Sequence, residues 1–203
     1  MKPTPLHALW ALSFRAMTSS VELSGQLGVS QQTASRWLSE LQREGLVQRA
    51  AGAYRVSDAG RKYLLELSPK APKQITGRVF TGLGEGRYYL SQKGYRDQFS
   101  GLLGFDPYPG TLNLRLQDAE NRHANQALRA QLGLYLQGFS AKERTFGGAR
   151  CYLCGINKTR AAVIVPERTH YPEDVVEVLS PVYLRKKLGL KDGDAVTLLL
   201  KNE

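Results

Sequence analysis

The segment YPGTLNL, residues 108–114, carries two neutral oxygen-bearing side chains, Thr111 and Asn113, directly after a Pro-Gly turn. Side chains alternate along a β-strand, so Thr111 and Asn113 are expected on one face, with Leu112 and Leu114 on the other. One interpretation is the polar outer face of a half-buried strand. The other is an oxygen site for a hard cation that holds phosphate groups. The motif alone leaves both interpretations open.

Glycines dominate a second segment, GLGEGRYYL, residues 82–90. Glycine lets the backbone approach a ligand and turn its N–H groups inward, an arrangement that suits phosphate. The alternative is a hairpin whose glycines serve only to reach positive φ. No G-x-x-x-x-G-K-[ST] pattern occurs, and the segment is predicted to turn into a strand and to open no helix. Neither a P-loop nor a dinucleotide-binding fold is therefore expected.

The only two cysteines, Cys151 and Cys154, stand in CYLCG. A C-x-x-C pair can be a redox pair or half of a zinc site. No second cysteine pair exists, the three histidines lie at unrelated spacings, and the surrounding ARCYLCGIN is typical of a strand. We predict two buried structural cysteines on a strand.

The charge of the chain indicates the kind of partner it binds, and its hydropathy indicates whether it spans a membrane. The chain has 28 Lys and Arg against 18 Asp and Glu, and both residues 1–70 (+4) and 71–203 (+6) are basic, which suits polyanionic partners. No run approaches the roughly 20 apolar residues of a membrane span. Arg15 interrupts the apolar N-terminal stretch, which we predict to be a helix rather than a signal peptide. We therefore expect no membrane partner and a cytoplasmic location.

The segment LSPKAPKQ, residues 67–74, has two prolines, two lysines and no apolar periodicity, so it predicts a linker. The pattern before it is mostly helical, whereas short strands and glycine-rich turns follow. We expect two domains, residues 1–70 and 71–203.

The first domain contains a pattern of two short helices. Ser19 and Glu22 match a capping box that opens a helix, which Gly28 ends. Ser30 can cap a second helix over about residues 31–44, and its apolar residues at i, i+3, i+4 and i+7 form an inward stripe. The following LVQRAAGAYRV is predicted to be a hairpin, and a further helix starts at Ser57.

These elements resemble the winged helix-turn-helix DNA-binding domains of bacterial and archaeal regulators. If the domain binds double-stranded operator DNA, Gln32, Thr33 and Arg36 of the second helix would reach base edges in the major groove. Arg49 and Arg55 on the hairpin would contact phosphate or the minor groove. Winged helices also serve as protein-interaction modules, so that alternative stays open.

Three longer segments, GLGEGRYYLS, LGFDPYPGTLNLRL and AAVIVPERTHYPEDVVEVLSPVYLRKKLGLKDGDAVTLLL, together resemble the archaeal CTP-dependent riboflavin kinases over about residues 75–201. With the winged helix in front, the chain resembles the fused riboflavin kinase and transcriptional regulator of archaea. The resemblance implies an α+β chain, in which a winged helix-turn-helix domain precedes a compact six-stranded β-barrel kinase domain. It also implies phosphorylation of riboflavin to FMN, with Mg²⁺ as cofactor and CTP, converted to CDP, as phosphoryl donor.

The resemblance implies roles for individual residues. Thr111 and Asn113 would bind Mg²⁺, and Thr169 and Glu177 would contact the flavin. Glu177 and Arg87 are the candidates for catalysis: Glu177 would orient or deprotonate the riboflavin 5′-hydroxyl, and Arg87 would help to neutralise charge. A simple hydrogen bond from Glu177 to bound flavin is the alternative. The cytidine nucleotide would contact Leu83, Gly84, Glu85, Gly86, Arg87, Tyr88, Val182, Tyr183, Leu184 and Arg185.

Two other hypotheses accompany the bifunctional one. In the first, the barrel only senses flavin or nucleotide and regulates transcription without catalysis. In the second, the kinase is active and the winged helix forms a homodimer or docks another protein. Thr111, Asn113 and the GLGEG segment are intact, which favours catalysis over sensing alone. Arg36 and the two hairpin arginines favour DNA binding over docking.

Overall fold

A computed structural model describes residues 2–15, 17–68, 70–141, 144–169 and 171–201. The chain divides into two compact units, residues 1–68 and 69–203. Within the described ranges, no helix has the length and apolar character needed to cross a membrane.

The described residues of the first unit form four helices and one hairpin. Ser19 accepts from the backbone of Glu22 while the Glu22 carboxylate accepts from Ser19, and left-handed Gly28 ends that helix, so the predicted capping is confirmed. Ser30 likewise caps the next helix through the backbone N–H of Thr33. The elements are α1 (Pro5–Ser13), α2 (Ser20–Leu27), α3 (Gln31–Arg43), β1 (Val47–Ala50), β2 (Ala53–Val56) and α4 (Asp58–Leu67).

The core of this unit follows the predicted apolar stripe of α3. Ala34, Trp37, Leu38 and Leu41 are all buried. The β1–β2 hairpin turns at residues 51–52, which both have positive φ (48° and 80°). Two-residue turns with this backbone conformation match the twist of the strands that they join. In α4, which starts after Ser57 as predicted, Leu64 is buried but Tyr63 and Leu67 are exposed.

The second unit contains the remaining elements. They are β3 (Gln74–Phe80), α5 (Gly86–Leu90), α6 (Lys93–Leu103), β4 (Leu112–Arg115), α7 (Ala119–Arg129), β5 (Leu134–Leu136), β6 (Phe139–Ala141), β7 (Arg144–Phe146), β8 (Ala149–Ile156), β9 (Thr159–Pro166), β10 (Val175–Leu179), α8 (Leu184–Leu188) and β11 (Ala195–Leu200).

Six of these strands form a closed antiparallel barrel in the order β11-β3-β4-β10-β9-β8. The barrel closes where Leu199 and Leu200 of β11 pair with Gly155 and Cys154 of β8. The six-stranded barrel implied by the resemblance is therefore confirmed. The other end of β8 pairs with β5, and β6 and β7 form a separate hairpin.

Two apolar clusters stabilise the barrel unit. One includes Leu114, Val178 and Leu198 from β4, β10 and β11, and the other joins α6 to residues of β5, β8 and β9. Cys154 belongs to the first cluster and Cys151 to the second, so the thiols lie on opposite faces of β8. Both are free, and burial raises the pKa of each to about 12. The prediction of buried structural cysteines is confirmed.

One prediction about the glycine segment was wrong. Residues 82–90 do not turn into a strand; the short helix α5 starts at Gly86, directly after Glu85. Gly84 has the positive φ of 80° that a tight turn requires. The glycines therefore make the turn between strand β3 and a helix, and the second strand of the barrel unit is β4.

Candidate active site

A cavity of about 740 Å³ lies against the barrel, within the size range of small-molecule sites. The glycine segment after β3, the start of β4, β10 and the segment entering α8 contribute to its lining, as do residues of α6, the region from β7 to the start of β8, and the segment between β9 and β10. Most of the residues predicted for nucleotide, cation and flavin line this one cavity. They are Leu83, Gly84, Glu85, Gly86, Arg87, Thr111, Asn113, Thr169, Glu177, Val182, Tyr183, Leu184 and Arg185.

Tyr88 is the predicted nucleotide residue that does not line the cavity. Its ring contacts Tyr89 (centroids 5.4 Å apart) and Phe146 (6.4 Å), and its hydroxyl lies 3.4 Å from Nη1 of Arg144. The side chain of Tyr88 therefore belongs to an aromatic group beside the cavity, and a nucleotide contact from it stays a prediction.

Three oxygen-bearing side chains converge on one wall of the cavity. The Thr111 hydroxyl donates to Oδ1 of Asn113 at 3.0 Å and lies 3.5 Å from Oε1 of Glu177. Asn113 on β4 stands directly opposite Glu177 on β10. Asn113 is only 6% exposed, so it does not lie on the polar outer face of a half-buried strand; Thr111 is half-buried and directly precedes β4.

The donor set suits a small hard cation. Octahedral Mg²⁺ holds oxygens at about 2.05 Å, so neighbouring ligand oxygens lie about 2.9 Å apart. Thr111 Oγ1 and Asn113 Oδ1 have nearly this separation. No group of three His, Cys, Asp or Glu side chains within the described part of the chain is arranged to hold a metal. A cation bound by these two neutral oxygens would need phosphate and water to complete its coordination.

The environment of Glu177 is unusual for a carboxylate. Burial raises the pKa of Glu177 above its ordinary value of 4.5, and the charge of Glu85 adds to this shift. The hydrogen bond with Thr111 and the charge of Arg129 act in the opposite direction but do not cancel it. A carboxylate with a raised pKa is a stronger base, so Glu177 is suited to accept a proton from a hydroxyl group.

Two distant side chains hold the glycine segment in place. Thr81 donates its backbone N–H and its hydroxyl to the carboxylate of Asp192, both at 3.1 Å, and Asp192 also pairs with Arg185 at 2.7 Å. On the other side, the backbone N–H of Leu83 donates to the hydroxyl of Tyr171 at 2.9 Å. The chain is thus held by hydrogen bonds at Thr81 and Leu83, one residue either side of Gly82.

Gly82 itself lies where no side chain fits. A Cβ at this position would collide with the amide nitrogen of Asn113 and would come within 2.5 Å of the Tyr171 hydroxyl. The φ of Gly82 is not in the left-handed region, so its requirement for glycine is steric. Gly86 is also close to the site, since its Cβ would lie 3.1 Å from Thr111 Oγ1.

This close approach gives a prediction for Gly82→Ala. The added methyl group must displace Asn113 or the glycine segment, and a displacement of about 1 Å in a site can cost about 10²-fold in rate. We expect a fall of that order in turnover with little change in secondary structure by circular dichroism. Gly101→Ala on α6 is the control, because its Cβ meets nothing within 4 Å. Equal activity in the two variants would contradict the packing described for Gly82.

Comparison with known proteins identifies the family. The CTP-dep_RFKase family model, described as domain of unknown function DUF120, matches residues 79–200. The chain belongs to the CTP-dependent riboflavin kinase family. It is 46% identical to the riboflavin kinase of Archaeoglobus fulgidus (88% of this chain and 81% of the relative) and 43% identical to that of Methanoculleus marisnigri (91% and 89%). It is 40% identical to that of Methanocella arvoryzae (92% and 89%).

The region matched by the CTP-dependent riboflavin kinase family begins within β3 and ends in β11, so it contains every residue placed at the cavity. The alignments to the three relatives cover more of the chain than the barrel unit contains. These riboflavin kinases therefore share part of the N-terminal unit as well.

The roles of Tyr171, Asp192 and Gly82 were not predicted from the sequence. Leu83 and Tyr171 are 88 positions apart, and Thr81 and Asp192 are 111 apart, so no local pattern connects them. The one available signal for Tyr171 was its place two residues after Thr169, a predicted flavin contact. Gly82 was visible only as one of the glycines in the glycine segment. The sequence did not show which of these glycines is sterically required.

The residues predicted to contact DNA lie on α3 and the β1–β2 hairpin. Gln32 and Arg36 are exposed, whereas Thr33 is half-buried, with its hydroxyl 2.9 Å from that of Ser30. The hairpin register places its two arginines on opposite faces. Arg49 lies over the ring of Tyr54 (5.6 Å), and Arg55 donates to Gln48 at 3.1 Å.

Proposed function

We propose that this protein transfers the terminal phosphoryl group of CTP to the 5′-hydroxyl of riboflavin, which gives FMN and CDP. The observation that carries the proposal is the convergence of Thr111, Asn113 and Glu177 oxygens beside the glycine segment, in one cavity of a chain from this family. Phosphoryl transfer depends mainly on positioning and on charge neutralisation. The three side chains would position the reacting groups, and a bound cation with Arg87 and Arg185 would supply the positive charge.

The nucleotide would lie between residues 83–87 and residues 182–185. Backbone N–H groups of the glycine segment can face phosphate oxygens. Arg185 is held by Asp192, so its guanidinium is oriented before the nucleotide arrives. Arg87 lines the same cavity and would add positive charge near the phosphates.

Thr111 and Asn113 would hold Mg²⁺, and the rest of its coordination would come from phosphate and water. When bound, Mg²⁺ supplies neutralisation of the charge on the phosphate oxygens. Residues of this chain perform the remaining steps. Thr169 would position the flavin, and Glu177 would orient the 5′-hydroxyl and accept its proton as the oxygen attacks phosphorus.

The test of this proposal is a comparison of phosphoryl donors. Purified protein is incubated with riboflavin, Mg²⁺ and each of the four ribonucleoside triphosphates, and FMN is followed by chromatography. We expect FMN with CTP and much less with the other three. Binding of flavin and nucleotide without FMN formation would instead support the hypothesis of a sensor that regulates transcription without catalysis.

We further propose that the N-terminal unit is a winged helix-turn-helix domain that binds operator DNA and regulates genes of riboflavin metabolism or transport. Its support is the exposed polar start of α3, with Gln32 and Arg36, next to a hairpin that carries Arg49 and Arg55. A helix of this kind fits the major groove, and a hairpin arginine can reach the backbone.

Two arginine variants separate base reading from phosphate contact. Arg36→Ala should relax sequence preference and weaken the cognate site by about 1–3 kcal/mol, because Arg36 would contact bases. Arg49→Ala should weaken cognate and random DNA alike and reduce the salt dependence of binding. Fluorescence anisotropy with both DNAs at several salt concentrations measures these effects. Equal losses on cognate and random DNA for Arg36→Ala would reject it as a base-reading residue.

The two proposed activities should separate at the linker. All cavity residues lie in the unit of residues 69–203, whose two apolar clusters are its own. A fragment that starts near Ala71 should therefore fold and form FMN from CTP, and residues 1–70 should keep basal DNA affinity. Measuring both activities in both fragments checks this, with the fragments' molar masses reporting any homodimer. A folded but inactive barrel fragment would show that the N-terminal unit completes the active site.

A further inference from the structure

Tyr171 contacts two segments that the proposed function assigns to different substrates. Its hydroxyl accepts from the backbone N–H of Leu83 at 2.9 Å, in the nucleotide segment. Its own backbone N–H donates to Oγ1 of Thr169 at 3.1 Å, and Thr169 is the proposed flavin contact. Both Tyr171 and Thr169 line the cavity. A single residue therefore joins the two substrate-binding segments by hydrogen bonds at its two ends.

Packing fixes the ring of Tyr171 in this position. The ring meets Phe80 edge to face, with centroids 6.0 Å apart, and Arg115 lies over Phe80 at 4.9 Å. The absence of a Cβ at Gly82 lets the Tyr171 hydroxyl approach the glycine segment closely. A side chain held on one side and bonded at its tip can transmit the position of one segment to the other.

We propose that Tyr171 is a positioning residue that couples nucleotide binding to flavin binding. The proposal rests on the proposed function, because that function supplies the two ligands. A nucleotide that orders residues 81–86 fixes Leu83, which holds the Tyr171 hydroxyl, and Tyr171 in turn orients Thr169 toward the flavin. Coupling of this kind is reciprocal, so riboflavin must tighten nucleotide binding by the same factor.

Asp192 provides the comparison. It holds the same segment through Thr81, but its other partner is Arg185, which belongs to the nucleotide side of the cavity. Loss of the Asp192 charge should weaken nucleotide binding. It should not change the factor by which bound nucleotide tightens riboflavin binding. Tyr171 and Asp192 therefore hold the same segment, but only the loss of the Tyr171 hydroxyl should reduce the coupling between nucleotide and riboflavin.

The experiment measures riboflavin affinity by fluorescence quenching, with and without saturating CDP and Mg²⁺, in wild type, Tyr171→Phe and Asp192→Asn. CDP prevents turnover, and Tyr171→Phe keeps the ring while removing the hydroxyl. In wild type, we expect saturating CDP to raise the affinity for riboflavin about fivefold or more. This ratio of riboflavin affinities with and without CDP should fall below about twofold in Tyr171→Phe, because the hydrogen bond that joins the two segments is lost. It should persist in Asp192→Asn once CDP is saturating.

The outcomes separate the inference from the function on which it rests. If Tyr171→Phe kept the same coupling ratio as wild type, the inference would be overturned and the proposed function would stand. A ratio near one in wild type would have the same consequence. Loss of the ratio in Asp192→Asn as well would show that general loosening of the segment, not Tyr171, carries the effect. Failure of wild type to bind riboflavin or CDP would overturn both.

Discussion

Asn113→Ala is expected to abolish FMN synthesis while the barrel stays folded. The substitution removes one of the two neutral oxygens proposed to hold Mg²⁺, and it leaves Thr111 without the acceptor at 3.0 Å. Loss of one electrostatic contact to the transferring group typically costs about 10²–10³-fold in turnover. The measurement is FMN formation at several Mg²⁺ concentrations, with circular dichroism as the check on folding.

Asn125→Ala is a matched control for this variant. Asn125 on α7 is also buried, and its amide donates to the Glu173 carbonyl at 2.7 Å, but it does not line the cavity. Its replacement should lower the melting temperature and leave the turnover of the folded protein nearly unchanged. Near-normal activity of Asn113→Ala at low Mg²⁺ would reject the cation assignment.

Glu177→Gln is expected to lose activity and gain stability. Glutamine keeps the shape of the side chain but cannot accept the proton of the riboflavin hydroxyl, so turnover should fall by about 10²–10⁴-fold if Glu177 is the general base. Wild-type turnover should also fall as the pH is lowered through the raised pKa of Glu177, because only the carboxylate accepts a proton. Activity close to wild type in Glu177→Gln would favour the alternative, a simple hydrogen bond to flavin.

The stability effect has a defined pH dependence. Because folding raises the pKa of Glu177, the folded state binds more protons than the unfolded chain between the two pKa values. The stability contributed by protonated Glu177 is fully present below the pKa that Glu177 has in the unfolded chain. It is lost as the pH rises through the pKa of Glu177 in the folded protein. Without Mg²⁺ and nucleotide, Glu177→Gln should therefore melt higher than wild type at neutral pH, and the difference should shrink at acidic pH. A difference independent of pH would contradict the burial of a charged carboxylate.

Local rules predicted the first unit well. The caps at Ser19 and Ser30, the end at Gly28 and the apolar stripe of α3 depend on residues within one or two turns of each other, so the sequence displays them directly. The strand period also predicted that Thr111 and Asn113 share a face. The closed six-stranded barrel followed from the family resemblance and not from periodicity.

Long-range contacts account for most of what sequence could not predict. The strand pattern did not show that Asn113 is buried, because the groups around it, at Gly82 and Glu177, come from other parts of the chain. Tyr171 and Asp192 hold the glycine segment across large separations in sequence. Glycine content was misleading at residues 82–90, since it suggested a hairpin where a short helix begins.

The most direct test of the central claim is transfer of label from CTP to riboflavin. Full-length protein is incubated with γ-³²P-labelled CTP, Mg²⁺ and riboflavin, and the products are separated by chromatography. We expect label in FMN, dependent on Mg²⁺ and lost in Asn113→Ala. Label that appears only as inorganic phosphate, or that stays in CTP while riboflavin is bound, would contradict it.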